Sequence, residues 1–185
     1  MIQDILFAIW FLLPAAAANM IPIIVAAIPM LKKYDAPIDA GKTWRGHELL
    51  GPHKTWRGII AGIIIATFVL WIQQVLAANF EWTQFVTDGV DYSALPLFIL
   101  GPLFAIGALG GDAIESFFKR QRNIKSGGSW VPFDQLDYII GSVLVTLFFV
   151  ILSPVQYLWI FIVWFVVHLG ASYLGYLLGL KKDPI

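Results

Sequence analysis

GGDAIESFFKRQRNIKSGGSWVPFDQLDYIIGS, residues Gly110 to Ser142, is a polar and charged run set between two apolar segments. Asp112, Glu115, Ser116 and Lys119 recur at the three- and four-residue spacing that lines one face of a helix. Four carboxylates (Asp112, Glu115, Asp134, Asp137) and four basic side chains (Lys119, Arg120, Arg122, Lys125) fall within it, although only 13% of the chain is charged. Charge so concentrated beside apolar segments marks the stretch as the end of one membrane helix, a loop and the start of the next.

The remainder of the chain supports that reading. It has 185 residues, 59% of them apolar, with a mean hydropathy of +0.78. Segments of about 20 apolar residues match the roughly 30 Å hydrocarbon core of a bilayer. The expected fold is all-α, a polytopic integral membrane protein with five transmembrane helices in a single domain covering residues 1–185. The spans fall at about 5–31, 56–78, 95–118, 136–152 and 155–180, with two polar loops at 32–55 and 119–135. Pro14, Pro22 and Pro29 predict a kinked or broken first helix. Asp4 and the lack of Lys or Arg before Lys32 favour a retained helix over a signal peptide. Without cysteine the chain has neither disulfides nor thiolate chemistry. Without a basic tail or stripe, nucleic acid is not an expected partner.

All 12 Lys and Arg lie in the polar stretch Lys32–Gly58 that follows span one, the loop after span three, or the tail after span five. The connection from Asn79 to Ser93 carries Glu81, Asp88 and Asp91 and no base. By the positive-inside rule the N-terminus is outside, and the C-terminus and both polar loops are cytoplasmic, in a multi-pass protein of the cell membrane. The stretch Lys32–Gly58 contains the pentapeptide KTWRG twice, at 42–46 and 54–58. That echo is too short to signal a structural repeat. It does place Lys and Arg beside Gly, the parts needed to grip phosphate.

Carboxylates at helical spacing facing a basic loop suit magnesium held by one or two side chains together with substrate phosphates. Other roles fit single residues. Asp134 suits an N-cap for span four, with Asp137 in its first turn. Glu115 and Lys119 suit an i, i+4 ion pair. The cluster Lys119, Arg120, Arg122 and Lys125 suits anchoring to anionic headgroups. Asp112 sits within an apolar span, where an ionisable group costs at least about 2.5 kcal/mol and marks function. His168 lies inside span five, where an interhelical hydrogen bond is the expected role. His53, beside Lys54, is within reach of a bound phosphate.

The run GDAIESFFKRQRNIKSGG followed by PFDQLDY resembles the signature region of the membrane cytidylyltransferase superfamily. Together with PIDAGKTW and LLGPHKTWRG it is similar to the CDP-archaeol synthase family, over essentially the whole chain. The resemblance implies a magnesium-dependent reaction of CTP with a prenylated glycerol phosphate, 2,3-di-O-geranylgeranylglycerol 1-phosphate, giving CDP-archaeol and pyrophosphate. It implies that Asp112, Glu115, Asp134 and Asp137 are the catalytic carboxylates, with Asp112, Asp134 and Asp137 as metal ligands. Lys54, Arg57, Lys119, Arg120 and Lys125 would contact the nucleotide and phosphates. GPH precedes Lys54 where archaeal members carry GDG, so synthesis of CDP-diacylglycerol from phosphatidic acid is the alternative. A transporter or lipid-binding module is the reading from another class. Charge gathered at one membrane face and the lack of an inverted repeat argue against it.

Overall fold

The computed structural model describes residues 1–177, so the end of the fifth expected span and the Lys181–Lys182 pair lie outside the described residues. The chain is helical: α1 (Ile2–Ala27), α2 (Trp56–Asn79), α3 (Thr83–Thr87), α4 (Leu97–Gln121), α5 (Phe133–Thr146) and α6 (Pro154–Leu177). Strands β1 (Thr43–Trp44) and β2 (His47–Glu48) make a single small hairpin. Helices dominate because a backbone in hydrocarbon must satisfy its own hydrogen bonds. Ile64, Phe98, Phe148 and Ile151, each more than half exposed, present the apolar outer surface that a bilayer covers.

Helix α1 is the hub, packing against α2, α4, α5 and α6. Phe7, Phe11 and Phe104 fill the centre, with Phe11 edge-on to Phe104 at 5.6 Å. Polar ties lock the hub where burial makes them effective. Trp164 Nε1 donates to Ala8 O at 2.7 Å, and Gln73 Nε2 to Trp10 O at 2.5 Å. Of the three prolines expected to kink or break the first helix, Pro14 and Pro22 lie within a continuous α1, whereas the helix ends at Ala27 and Pro29 opens a separate 3-10 turn. The α2 glycines let it lie close to α1: a Cβ on Gly58 would stand 3.2 Å from Pro22 Cβ, and one on Gly62 would be 3.5 Å from Ala18 O.

Among the described residues four helices, α1, α2, α4 and α6, are long and apolar enough to cross a membrane. The expected fourth span at 136–152 is shorter than anticipated. Helix α5 has 14 residues, about 21 Å of rise, and residues 147–153 continue outside regular helix. The Thr146 hydroxyl donates to Ser142 O at 3.0 Å and lies 3.1 Å from Val143 O, while the amides of Phe149 and Val150 both turn back to Thr146 O at 2.9 Å. Ser153 precedes Pro154, which disfavours helical backbone at that position. Ser153 and Gln156 then cap the start of α6 reciprocally, Ser153 N donating to Gln156 Oε1 and Gln156 N to Ser153 Oγ.

The connections separate into two ends. At one end Gln156 Nε2 donates to Asp88 Oδ2 at 2.8 Å, and Gln74 Nε2 to the carbonyls of Tyr92 and Leu95. This joins the loop after α2 to the loop before α6. In that acidic loop Asp91 accepts from the Ser93 hydroxyl and amide, which hold its pKa below the ordinary carboxylate value. The opposite end carries the loop after α1 and the loop after α4, the two basic stretches.

Candidate functional site

The site is built where α4 crosses α5. Glycines permit the crossing: a Cβ on Gly107 would lie 2.6 Å from Gly141 O, and one on Gly111 would be driven into the carbonyl of Asp137. Only bare backbones approach so closely. The crossing sets Asp112 and Glu115 of α4 against Asp134 and Asp137 at the start of α5. One oxygen each from Asp112, Glu115 and Asp137 lies within 4.8 Å of the others. Three hard oxygen donors from two rigid helices fit a magnesium ion that retains coordination sites for water and phosphate.

Asp134 stands beside this group and is held differently. Its Oδ1 is 2.5 Å from Lys119 Nζ, and its Oδ2 accepts from Trp130 N at 2.9 Å. Lys119 also lies 3.2 Å from Glu115 Oε1, so one ammonium bridges the two carboxylates. These are charge contacts: neither carboxylate oxygen has an aligned hydrogen-bond donor. Thus the anticipated i, i+4 pair exists and includes a third member from α5. Glu115, expected as a catalytic carboxylate, joins the potential ligand group, and Asp134, expected as a ligand, takes the position beside it.

Lys54 reaches the same cluster from the first loop, its Nζ 2.5 Å from Asp112 Oδ2. The loop is fastened for this purpose at its base. Ile38 N donates to Lys54 O at 2.8 Å and Trp56 N to Ala36 O at 3.1 Å. Asp39, which sequence reasoning did not single out, accepts from Gly41 N and Leu50 N and so closes the loop's interior. Its Asp-Ala-Gly setting is a turn signal from which that role is legible.

The repeated KTWRG takes two structures. At 42–46 it forms β1 and the turn, Arg45 and Gly46 having φ of 53° and 85°, as a primed hairpin turn requires. At 54–58 it opens α2, with the Thr55 hydroxyl accepting from Gly58 N. Arg57 in the second copy donates from Nη1 to Leu31 O at 2.5 Å, tying α2 to the end of the first segment.

The second loop begins where Asn123, at φ 60°, ends α4, with Ile124 N returning to Lys119 O and Asn123 N to Arg120 O. This reversal folds Lys125 back towards Arg120. Between the reversal and the hairpin lies a cavity of about 400 Å³, lined by His47 and Glu48 on one side and Arg120, Asn123 and Lys125 on the other. That volume lies within the range of small-molecule sites. Arg120 is buried and its Nε has no hydrogen-bond partner among the described residues. Gln121 Nε2, 3.4 Å from Glu48 O, links the hairpin to α4. Arg122 instead covers the Trp130 ring at 4.9 Å. His168 lies next to Tyr138, their rings 5.8 Å apart, within the helical bundle and away from the cavity.

A carboxylate group and a basic cavity lined by Arg120, both at the same end of α4, make the layout expected of a lipid nucleotidyltransferase, and comparison with known proteins agrees. The family model for CarS-like CDP-archaeol synthases matches residues 1–185. The chain is 34% identical to the CDP-archaeol synthase of Thermococcus kodakarensis over 99% of this chain and 98% of that protein. It is 35% identical to the CDP-archaeol synthase of Methanocaldococcus jannaschii over 98% of each. A solved structure of an intramembrane enzyme for archaeal membrane lipids biosynthesis superposes with a TM-score of 0.71 at 27% identity, covering 89% of this chain and 92% of that one. With the family model matched over residues 1–185, the chain belongs to the CDP-archaeol synthase family.

Proposed function

We propose that this protein transfers CMP from CTP to the phosphate of 2,3-di-O-geranylgeranylglycerol 1-phosphate, releasing pyrophosphate and forming CDP-archaeol. The carrying observation is the group Asp112, Glu115 and Asp137, gathered from two helices beside Lys54, with a basic cavity lined by Arg120 of the same helix end. An oxygen of the lipid phosphate forms the new bond to the α-phosphorus, and the bond to the β,γ-pyrophosphate breaks. The nucleophile is already ionised near neutral pH, so no general base is required and positioning supplies most of the rate.

The three carboxylates would hold magnesium, which supplies charge neutralisation on the transferring phosphoryl group and the departing pyrophosphate. Arg120 and Lys125 line the cavity as triphosphate contacts, Arg120 as a buried fork and Lys125 as a mobile point charge. Lys54, beside Asp112, serves the phosphates next to the carboxylates. Lys119 fixes Glu115 and Asp134 relative to each other, and Asp134 anchors the loop through Trp130 N. The charge partition among the loops supports a cytoplasmic site with the N-terminus outside, where CTP is available. The lipid approaches from the bilayer.

The test is purified protein in nanodiscs with labelled CTP and magnesium, offered the ether lipid phosphate or phosphatidic acid. Formation of CDP-archaeol, lost on chelation and in Asp112→Asn, is expected. A preference for phosphatidic acid replaces the lipid assignment with the ester reading. Failure with both lipids overturns the transferase reading.

A further inference from the structure

The mechanism uses Lys54 as a phosphate contact, yet in this structure its ammonium is not aimed at the cavity. It is 2.5 Å from Asp112 Oδ2, on a carboxylate of the proposed ligand group, with both side chains about three-quarters buried. Its backbone cannot follow a departing side chain, because Lys54 O accepts from Ile38 N and the neighbouring Trp56 N is tied to Ala36 O. Only the four-carbon side chain is free to swing. An ammonium and a divalent cation compete for one carboxylate, since each neutralises it and each repels the other.

We propose that Lys54 is a cation stand-in on Asp112 that metal arrival displaces, so that the released ammonium becomes available to the nucleotide's phosphates. This inference rests on the metal reading of Asp112, Glu115 and Asp137. The displacement makes metal and nucleotide binding mutually supportive. Metal alone must break the Lys54–Asp112 pair without compensation, whereas metal arriving with the triphosphate gives the displaced ammonium a new anionic partner. Without metal, the same contact keeps two carboxylates, Asp112 and Asp137, from facing each other unneutralised. By linkage, the factor by which nucleotide strengthens metal binding equals the factor by which metal strengthens nucleotide binding.

Two measurements on the full-length protein in detergent test this, neither of them activity. The first is Mn²⁺ binding followed by electron paramagnetic resonance without nucleotide. Lys54→Met is expected to tighten Mn²⁺ by about fivefold or more, the lower end of ordinary coupling between two sites, and to weaken binding of CTP with Mn²⁺. Lys54→Arg, which retains the charge, is expected to leave Mn²⁺ affinity within about twofold of native, since the competing cation persists. The second uses native protein, so it does not depend on a variant folding: amine-specific labelling of Lys54, read by mass spectrometry, should speed up when Mn²⁺ is added. Unchanged or weaker Mn²⁺ binding in Lys54→Met, or labelling indifferent to Mn²⁺, overturns the displacement while leaving the metal site intact. Absence of Mn²⁺ binding in native protein, or binding unaffected by Asp112→Asn with Asp137→Asn, overturns the metal reading itself.

Discussion

Gly111→Ala tests whether backbone proximity of α4 and α5 builds the site. The added Cβ would stand 2.7 Å from the carbonyl carbon of Asp137 and nearer still to its oxygen. Ordinary carbon contacts begin near ~3.5 Å, so the helices must separate by about 1 Å at that level. Overpacking of this kind costs roughly 1–3 kcal/mol. Replacing a helical Gly with Ala returns about 1 kcal/mol of propensity. The net loss in stability is therefore about 1 kcal/mol, a fall of a few degrees in melting temperature. Catalysis should suffer far more, because Asp112 adjoins residue 111 and Asp137 is the residue pushed away. A displacement of that size costs about 100-fold in rate. Labelled-CTP turnover in nanodiscs and thermal unfolding in detergent measure the two effects separately. Gly110→Ala is the matched control: a Cβ there meets nothing within 4 Å, so turnover should stay near native. Native turnover in Gly111→Ala, or equal damage from both substitutions, would refute the reasoning.

Asp112→Asn, Glu115→Gln and Asp137→Asn should each lower turnover by about 100-fold or more, with loss of Mn²⁺ binding as the independent readout; retained metal binding in Glu115→Gln would remove it from the ligand group. Lys119→Met leaves the buried Glu115 and the part-buried Asp134 without their shared cation, a loss of about 3 kcal/mol seen as a lower melting temperature. Arg57→Gln removes the charged hydrogen bond to Leu31 O and should cost about 2 kcal/mol of stability, with a smaller effect on CTP affinity than Lys54→Met. The reverse ranking would return Arg57 to the phosphate contacts. Chelation should abolish turnover, and magnesium should restore it.

The one-dimensional pattern determined the apolar helices, the two basic loops and the polar residues they carry. Each of these follows from local composition: apolar length sets a span, and clustered charge cannot remain in hydrocarbon. The pairings among those residues depended on tertiary contacts. Asp112 and Glu115 are neighbours by helical spacing, but their meeting with Asp137 required Gly107, Gly111 and Gly141 to bring two backbones together. The G-x-x-x-G spacing at 107 and 111 was present in the sequence, but its partner on α5 was not specified by it. The end of α5 at Thr146 is likewise not legible in hydropathy, since residues 147–152 remain apolar. KTWRG makes the division plain. One pentapeptide is a hairpin at 42–46 and a helix start at 54–58. Five residues fix which side chains are available. The pairing of Trp44 with His47 in one copy, and the capping of Gly58 by Thr55 at the foot of α2 in the other, decided which structure each copy took and sent Lys54 to Asp112.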